Sequence, residues 1–200
     1  MRRFPSFVLA GLLLVAGAAQ AASTTYTMDP HHTQVLFTWN HFGFSNPTAN
    51  FNTVKGTVTY DPADPAKSSV EVSMPLSGLD THVPALDAHL KEADFFDAAK
   101  YPDVTFKSTQ VRAAGADKLM VTGNLTVHGV TRPVTLDVSI NKVGGQPMWN
   151  AAAVGFDATA TLKRTDFGVG AYVPAVSDAI RVHITTEAIE SVAYKAKTGG

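Results

Sequence analysis

The chain has 200 residues, 45% of them hydrophobic, with 16 Lys and Arg against 17 Asp and Glu. That balance, without any basic run, argues against nucleic acid as a partner, because such binding rests on a concentrated positive field. Cysteine is absent, which excludes disulfides, thiol catalysis and thiolate metal sites and leaves packing and hydrogen bonds to hold the fold.

In chain order, residues 1–21 read as a cleaved secretory signal. Arg2 and Arg3 are basic, Phe7 to Ala19 is almost wholly apolar, and Ala19-Gln20-Ala21 places small residues at the cleavage site. The apolar run falls short of the roughly 20 residues a membrane-spanning helix needs. Residues 22–200 are therefore expected to form one exported, periplasmic domain, long enough for a sizeable core.

From there a two-residue alternation of apolar and polar side chains, the mark of a half-buried strand, recurs eight times. The apolar sets are Val35, Phe37 and Trp39; Val54, Val58 and Tyr60; Val70, Val72, Met74 and Leu76; and Val104 and Phe106. They continue with Leu119, Val121, Leu125 and Val127; Val134, Leu136, Val138 and Ile140; Phe156, Ala158, Ala160 and Leu162; and Ile180, Val182 and Ile184. Turn-forming stretches such as Asp61-Pro62, Ala114 to Asp117, His128-Gly129 and Gly144-Gly145 separate them.

One segment breaks the period. Between Pro84 and about Ala99, Leu86, Leu90 and Ala93 share one helical face, and proline suits a first turn. The expected fold is all-β: an eight-stranded antiparallel barrel, closed so that no edge is exposed, with a short helical insertion after the third strand. Eight strands enclose a bore that side chains fill or that holds one slender ligand. Gly56, Gly123, Ala158 and Ala160 fit either case, as space beside larger groups or as gaps for interdigitating neighbours.

Catalytic signatures are weak. The seven histidines show no HExxH pattern, and adjacent His31 and His32 would point to opposite faces of a strand. The nearest imitation of a nucleophile elbow, Gly43-Phe44-Ser45-Asn46-Pro47, ends in proline. Asp166-Phe167-Gly168 lacks the glycine-rich loop and the catalytic segment that accompany it in kinases. The competing enzyme reading rests on His89 with Asp87 or His32 with Asp29 as acid/base pairs, and a third reading is a structural or partner-binding β-barrel domain filled by its own side chains. No metal or resident cofactor is expected.

A set of short motifs carries a resemblance. Asp29-Pro30-His31-His32-Thr33, Phe37 to Gly43, Leu79-Asp80-Thr81, Asp87-Ala88-His89-Leu90 and Asp94-Phe95-Phe96-Asp97 stand in that order. Gly123 to Thr131 and Arg164-Thr165-Asp166-Phe167-Gly168 follow. The ordered set resembles the YceI-like family of bacterial exported lipid-binding proteins, from about Tyr26 to about Glu190. The resemblance implies a lipocalin-like barrel that binds a polyisoprenoid, an isoprenoid quinone or a similar long amphiphile, as carrier or buffer and not as an enzyme. Its lining is expected from Phe37, Trp39, Val72, Met74, Phe106, Leu125, Leu136, Phe156, Ile180, Val182 and Ile184. The motif polar residues His32, His41, Asp87, His89, His128, Arg164 and Asp166, with Phe167, are expected at the mouth or bracing its loops. Phe95 and Phe96 are expected as a buried lid. Oligomeric state, with a homodimer among the options, and transient contact with a membrane or membrane protein are left open by the residues.

Overall fold

In a computed structural model residues 23–199 are described; the expected signal segment lies outside them. Strand β1 (Thr24–Thr38) is the pivot of the architecture, because it pairs on both sides. One neighbour is β3 (Lys55–Tyr60), and the chain continues through β4 (Ser69–Pro75), β6 (Asp103–Gly115) and β7 (Lys118–Val127). β8 (Val130–Gln146), β9 (Ala151–Lys163) and β10 (Ala179–Glu190) follow, and β10 returns to β1, with Val35 opposite Ile184 and Phe37 opposite Val182. Every pairing is antiparallel, so eight strands form a closed barrel with no free edge in the ring.

Two short strands lie outside that ring. β2 (Thr48–Phe51) pairs with the end of β1, and β5 (Leu79–Asp80) pairs with β2. They bury Ala49, Phe51 and Leu79, which extend the barrel core at one end together with Val54 and Leu76. The opposite end carries helix α2 (Ser191–Thr198), which the apolar pattern does not announce because none of its residues is buried. It is held from outside: Tyr194 stacks on Trp149 at 5.2 Å, and Lys197 Nζ lies 4.5 Å from the centre of the Trp149 ring.

Bulges decide which side chains face inward. Met28 pairs with Ala188 but Thr33 pairs with Thr186, so residues 29–32 stand opposite Glu187 alone and β1 carries three extra residues. The inward parity therefore changes from Tyr26 and Met28 to Val35 and Phe37. On β6 the register slips between Ser108 and Gln110, and the inward set changes from Val104 and Phe106 to Val111. Gly123 on β7 is a close-approach position. A Cβ there would lie 2.4 Å from Phe106 Cζ and 2.6 Å from the Lys107 carbonyl oxygen, so its missing side chain is the space the Phe106 ring occupies.

The inserted helix is shorter than its sequence pattern. Helix α1 spans Pro84–Leu90, and turns replace it from Lys91 to Tyr101. Phe96 N donates to Leu90 O at 3.0 Å, Ala98 N to Lys91 O at 3.0 Å, and Asp97 adopts a left-handed φ of 47°. The reason is local: successive residues on a helix face different directions, and unwinding lets both Phe95 and Phe96 turn toward the barrel.

Candidate ligand cavity

The inward faces of the eight strands enclose a cavity of about 490 Å³. Phe37, Trp39, Val72, Met74, Phe106, Leu125, Leu136, Phe156, Ile180, Val182 and Ile184 all face it. The bulge-shifted Met28 and Val111, with Leu119, Val121 and Val138, complete its far half. Ala158 and Ala160 leave width on the β9 wall. Near the barrel end where β1 finishes, Phe37 gathers aromatic rings around it: Phe51 at 5.8 Å, Trp39 at 5.9 Å and Phe96 at 6.3 Å.

Few polar groups interrupt this surface. Thr33 and Thr186 spend their hydroxyls on each other at 2.8 Å, so the pair is buried without an orphan group. Tyr60 packs edge-on to Phe156 at 5.6 Å, and burial pushes its phenol above the ordinary value. The other polar residues of the lining fall at the two ends: His41, His89 and Arg164 at the mouth, and Thr59, Ser68 and Ser69 at the far end, beside the start of β1.

Arg164 organises that mouth. It begins a tight turn, Arg164–Phe167, closed by left-handed Gly168, and it is buried. Its Nε donates to Ser177 O, Nη1 to Val169 O and Nη2 to Val176 O, each at 2.9 Å. Burial lowers its pKa, and nearby Asp178 opposes that shift. A planar guanidinium with several fixed donors suits this work: one side chain ties both ends of the 169–177 loop to the barrel rim. Asp178 receives Thr165 N and Thr165 Oγ1 at 2.9 Å and closes the loop from the other side.

The remaining motif residues divide. Asp87 Oδ1 accepts from Thr81 N at 2.7 Å and Thr81 Oγ1 at 2.6 Å, fixing the start of α1 to β5. His128 Nδ1 lies 3.4 Å from Phe167 O, and its ring meets Tyr101 edge-on at 5.4 Å. The carbonyl of Asp166 accepts from Arg132 Nε at 3.1 Å while the residue itself is exposed. All three brace loops without lining the cavity. His32 is neither at the mouth nor at a brace of it: it sits on the β1 bulge, its side chain 62% exposed, with Nδ1 2.9 Å from Asp29 Oδ2. The motif resemblance had placed it at the mouth; the bulge instead leaves it exposed and away from the cavity.

Neither candidate acid/base pair forms in the cavity. His89 Nδ1 lies 3.1 Å from Glu92 Oε2, and Asp87 is committed to Thr81. His32 and Asp29 do pair, and that hydrogen bond raises the His32 pKa against a smaller opposing effect of burial. Ligand atoms of Asp29, His32 and Glu187 lie within 4.8 Å of one another, the one such grouping among the described residues, and none of the three lines the cavity.

The segment from α1 through Phe96 packs into the mouth. Leu86, Leu90, Phe95 and Phe96 line the cavity, Phe95 buried and Phe96 half-buried. Phe95 lies 4.8 Å from the His89 ring and 6.2 Å from Tyr172, stacked.

The YceI-like domain profile matches residues 26–188. Protein YceI of Salmonella arizonae is 35% identical over 184 residues, covering 92% of this chain and 95% of that protein. Among solved structures, Burkholderia cenocepacia BcnA superposes with a TM-score of 0.73 at 25% identity, covering 80% of this chain and 98% of that one. The Campylobacter jejuni YceI protein gives 0.70 at 30% identity, over 76% and 90%. A polyisoprenoid-binding domain from Saccharophagus degradans shares the fold, with a TM-score of 0.67 at 14% identity, over 84% and 99%.

Proposed function

This chain belongs to the YceI-like family, and from that premise we propose that it is an exported binding protein, a carrier or buffer for a polyisoprenoid, an isoprenoid quinone or a similar long-chain amphiphile. The observation that carries the reading is the hollow barrel itself: about 490 Å³ of enclosed space walled by valine, leucine, isoleucine and phenylalanine. That volume falls in the range of small-molecule sites. Each methylene moved from water into such a wall contributes about 0.8 kcal/mol, so roughly ten buried chain carbons supply about 8 kcal/mol, near micromolar affinity before the costs of association. The fold likeness to a polyisoprenoid-binding domain adds support for the ligand class.

In this reading the tail occupies the barrel and the polar end lies by His41 and His89 at the mouth. The segment from α1 through Phe96 is the lid, opening to admit the chain and closing over it. Nothing in the lining assembles a nucleophile with a base, so the reading is of binding and not of turnover. The signal-like first 21 residues support export, and with it a place in the periplasm.

The test is native mass spectrometry of protein purified from the periplasm, followed by solvent extraction and refilling. Near-stoichiometric lipid is expected, and the emptied protein should change its Trp39 emission when a polyisoprenol is added. A Trp149→Phe background isolates that signal, since Trp149 stacks on α2 and does not line the cavity. Protein that carries no lipid and gives no Trp39 response ends the proposal.

A further inference from the structure

The apolar wall of the cavity continues past the barrel rim. Phe42 and Tyr172 line the cavity and are also 52% and 62% exposed. Beyond them Phe44 stands 93% exposed at the tip of a turn. Scattered exposed apolar residues are ordinary, but a group continuous with a ligand cavity marks an interaction site.

The turn that presents Phe44 is rigidly built. His41 N donates to Ser45 O at 2.9 Å, Phe44 N to His41 O at 3.0 Å, and Gly43 N to Asn40 Oδ1 at 2.8 Å. Phe42 N donates to Ala175 O at 2.8 Å, tying this turn to the loop that carries Tyr172. Phe42 is held at φ 54°, a left-handed conformation that costs a bulky residue energy and persists only where the surroundings enforce it. The backbone thus fixes two aromatic side chains in solvent.

Charge identifies the partner. Residues 40–47 and 168–177 contain no Lys, Arg, Asp or Glu, so neither loop must strip water from an ion to enter an apolar phase. The exposed aromatic groups are three residues on two loops, against the roughly 20–30 residues a side of a standard protein interface. Tyr and Trp settle at a membrane–water boundary, and Phe buries its ring at the edge of the acyl region. The cargo class proposed above resides in bilayers.

Resting on that reading of the cavity, we propose that loops 40–47 and 168–177 seat the mouth of the barrel in the surface of a lipid bilayer, with Phe44 inserted deepest and Phe42 and Tyr172 at the boundary. The lid segment meets this surface directly, through the stack of Phe95 on Tyr172. Docking therefore places the entrance, not the barrel wall, against the lipid.

Flotation of the full chain with vesicles of phosphatidylethanolamine and phosphatidylglycerol tests this. The wild type should float, and should still float at about 1 M salt, where surface electrostatics are screened. Phe44→Ser should weaken association about tenfold or more, and Phe44→Trp should restore it. Met148→Ser, at an exposed apolar residue on the opposite end, should float like the wild type. Because Phe44 does not line the cavity, Phe44→Ser should still take up a polyisoprenol presented in detergent micelles. A wild type that does not float, or a Phe44→Ser variant that floats equally well, overturns the docking; uptake from micelles in those cases leaves the cavity reading standing. Absence of uptake from any source overturns the cavity reading instead. Protease-sensitive binding to native membranes, without binding to lipid vesicles, assigns the loops to a protein and also overturns the docking.

Discussion

Ala158→Phe distinguishes a hollow barrel from a filled one. Ala158 lies midway along β9, opposite Val138 on β8 and Ile184 on β10, and its side chain faces the cavity. In a packed interior an added phenyl ring forces neighbours off their rotamers at about 1–3 kcal/mol. Inside a 490 Å³ space it meets room, so stability should hold or rise. The ligand then loses the volume the ring takes. If that displaces the equivalent of roughly four to five methylenes at about 0.8 kcal/mol each, binding weakens by about 3–4 kcal/mol, between roughly 10²- and 10³-fold. Urea unfolding of the emptied protein reads the first quantity, and polyisoprenol titration followed by Trp39 reads the second. A stability loss beyond about 1 kcal/mol, or wild-type affinity in the variant, would mean that the barrel is filled by its own side chains.

Phe95→Ala should destabilise by about 3 kcal/mol, as removal of a buried phenylalanine does, with Phe96→Ala costing less; both should speed lipid release, measured by transfer to acceptor vesicles. Arg164→Lys leaves carbonyls of Val169, Val176 and Ser177 without their planar partner, and urea melts should show a loss of about 2 kcal/mol or more. His32 has a raised folded-state pKa through its bond to Asp29, so its stabilisation is complete below the ordinary imidazole value of about 6.5 and fades as pH rises through the raised value. His32→Gln should flatten the decline in stability over that window, and an NMR titration of the ring should give a midpoint above the ordinary value. An unchanged slope would remove this pair from the account.

Strand parity carried most of the fold because eight faces bury one side each, and the eleven inward residues follow from that period alone. It failed where the chain carries extra residues. Tyr26 and Met28 fall on the opposite parity to Val35 because of the bulge at 29–32, and Val111 is displaced from Phe106 by the slip at 108–110. His32, expected at the mouth from the motif resemblance, lies on that same bulge. Apolar spacing also overran α1, since Ala93 continues a helical face that tertiary contacts of Phe95 and Phe96 override. The mouth was only half legible. Asp87 acts on Thr81, six residues back, and Arg164 on carbonyls of the loop that follows it, and these partners are set by how the local turns fold, which residue type and spacing do not specify. Helix α2 depends on a stack with Trp149, far away in the chain and equally silent.

The seam between β1 and β10 joins Tyr26 to Glu190 and Phe37 to Val182, so the wall's first strand waits for its last. Until β10 seats, β1 and β9 each present an unpaired edge and the apolar lining faces water, a state prone to association. Pairings this distant along the chain make folding slow. The container and its contents' space therefore come into existence together, in the closing event of folding, and a chain shortened before β10 has no interior in which to hold anything.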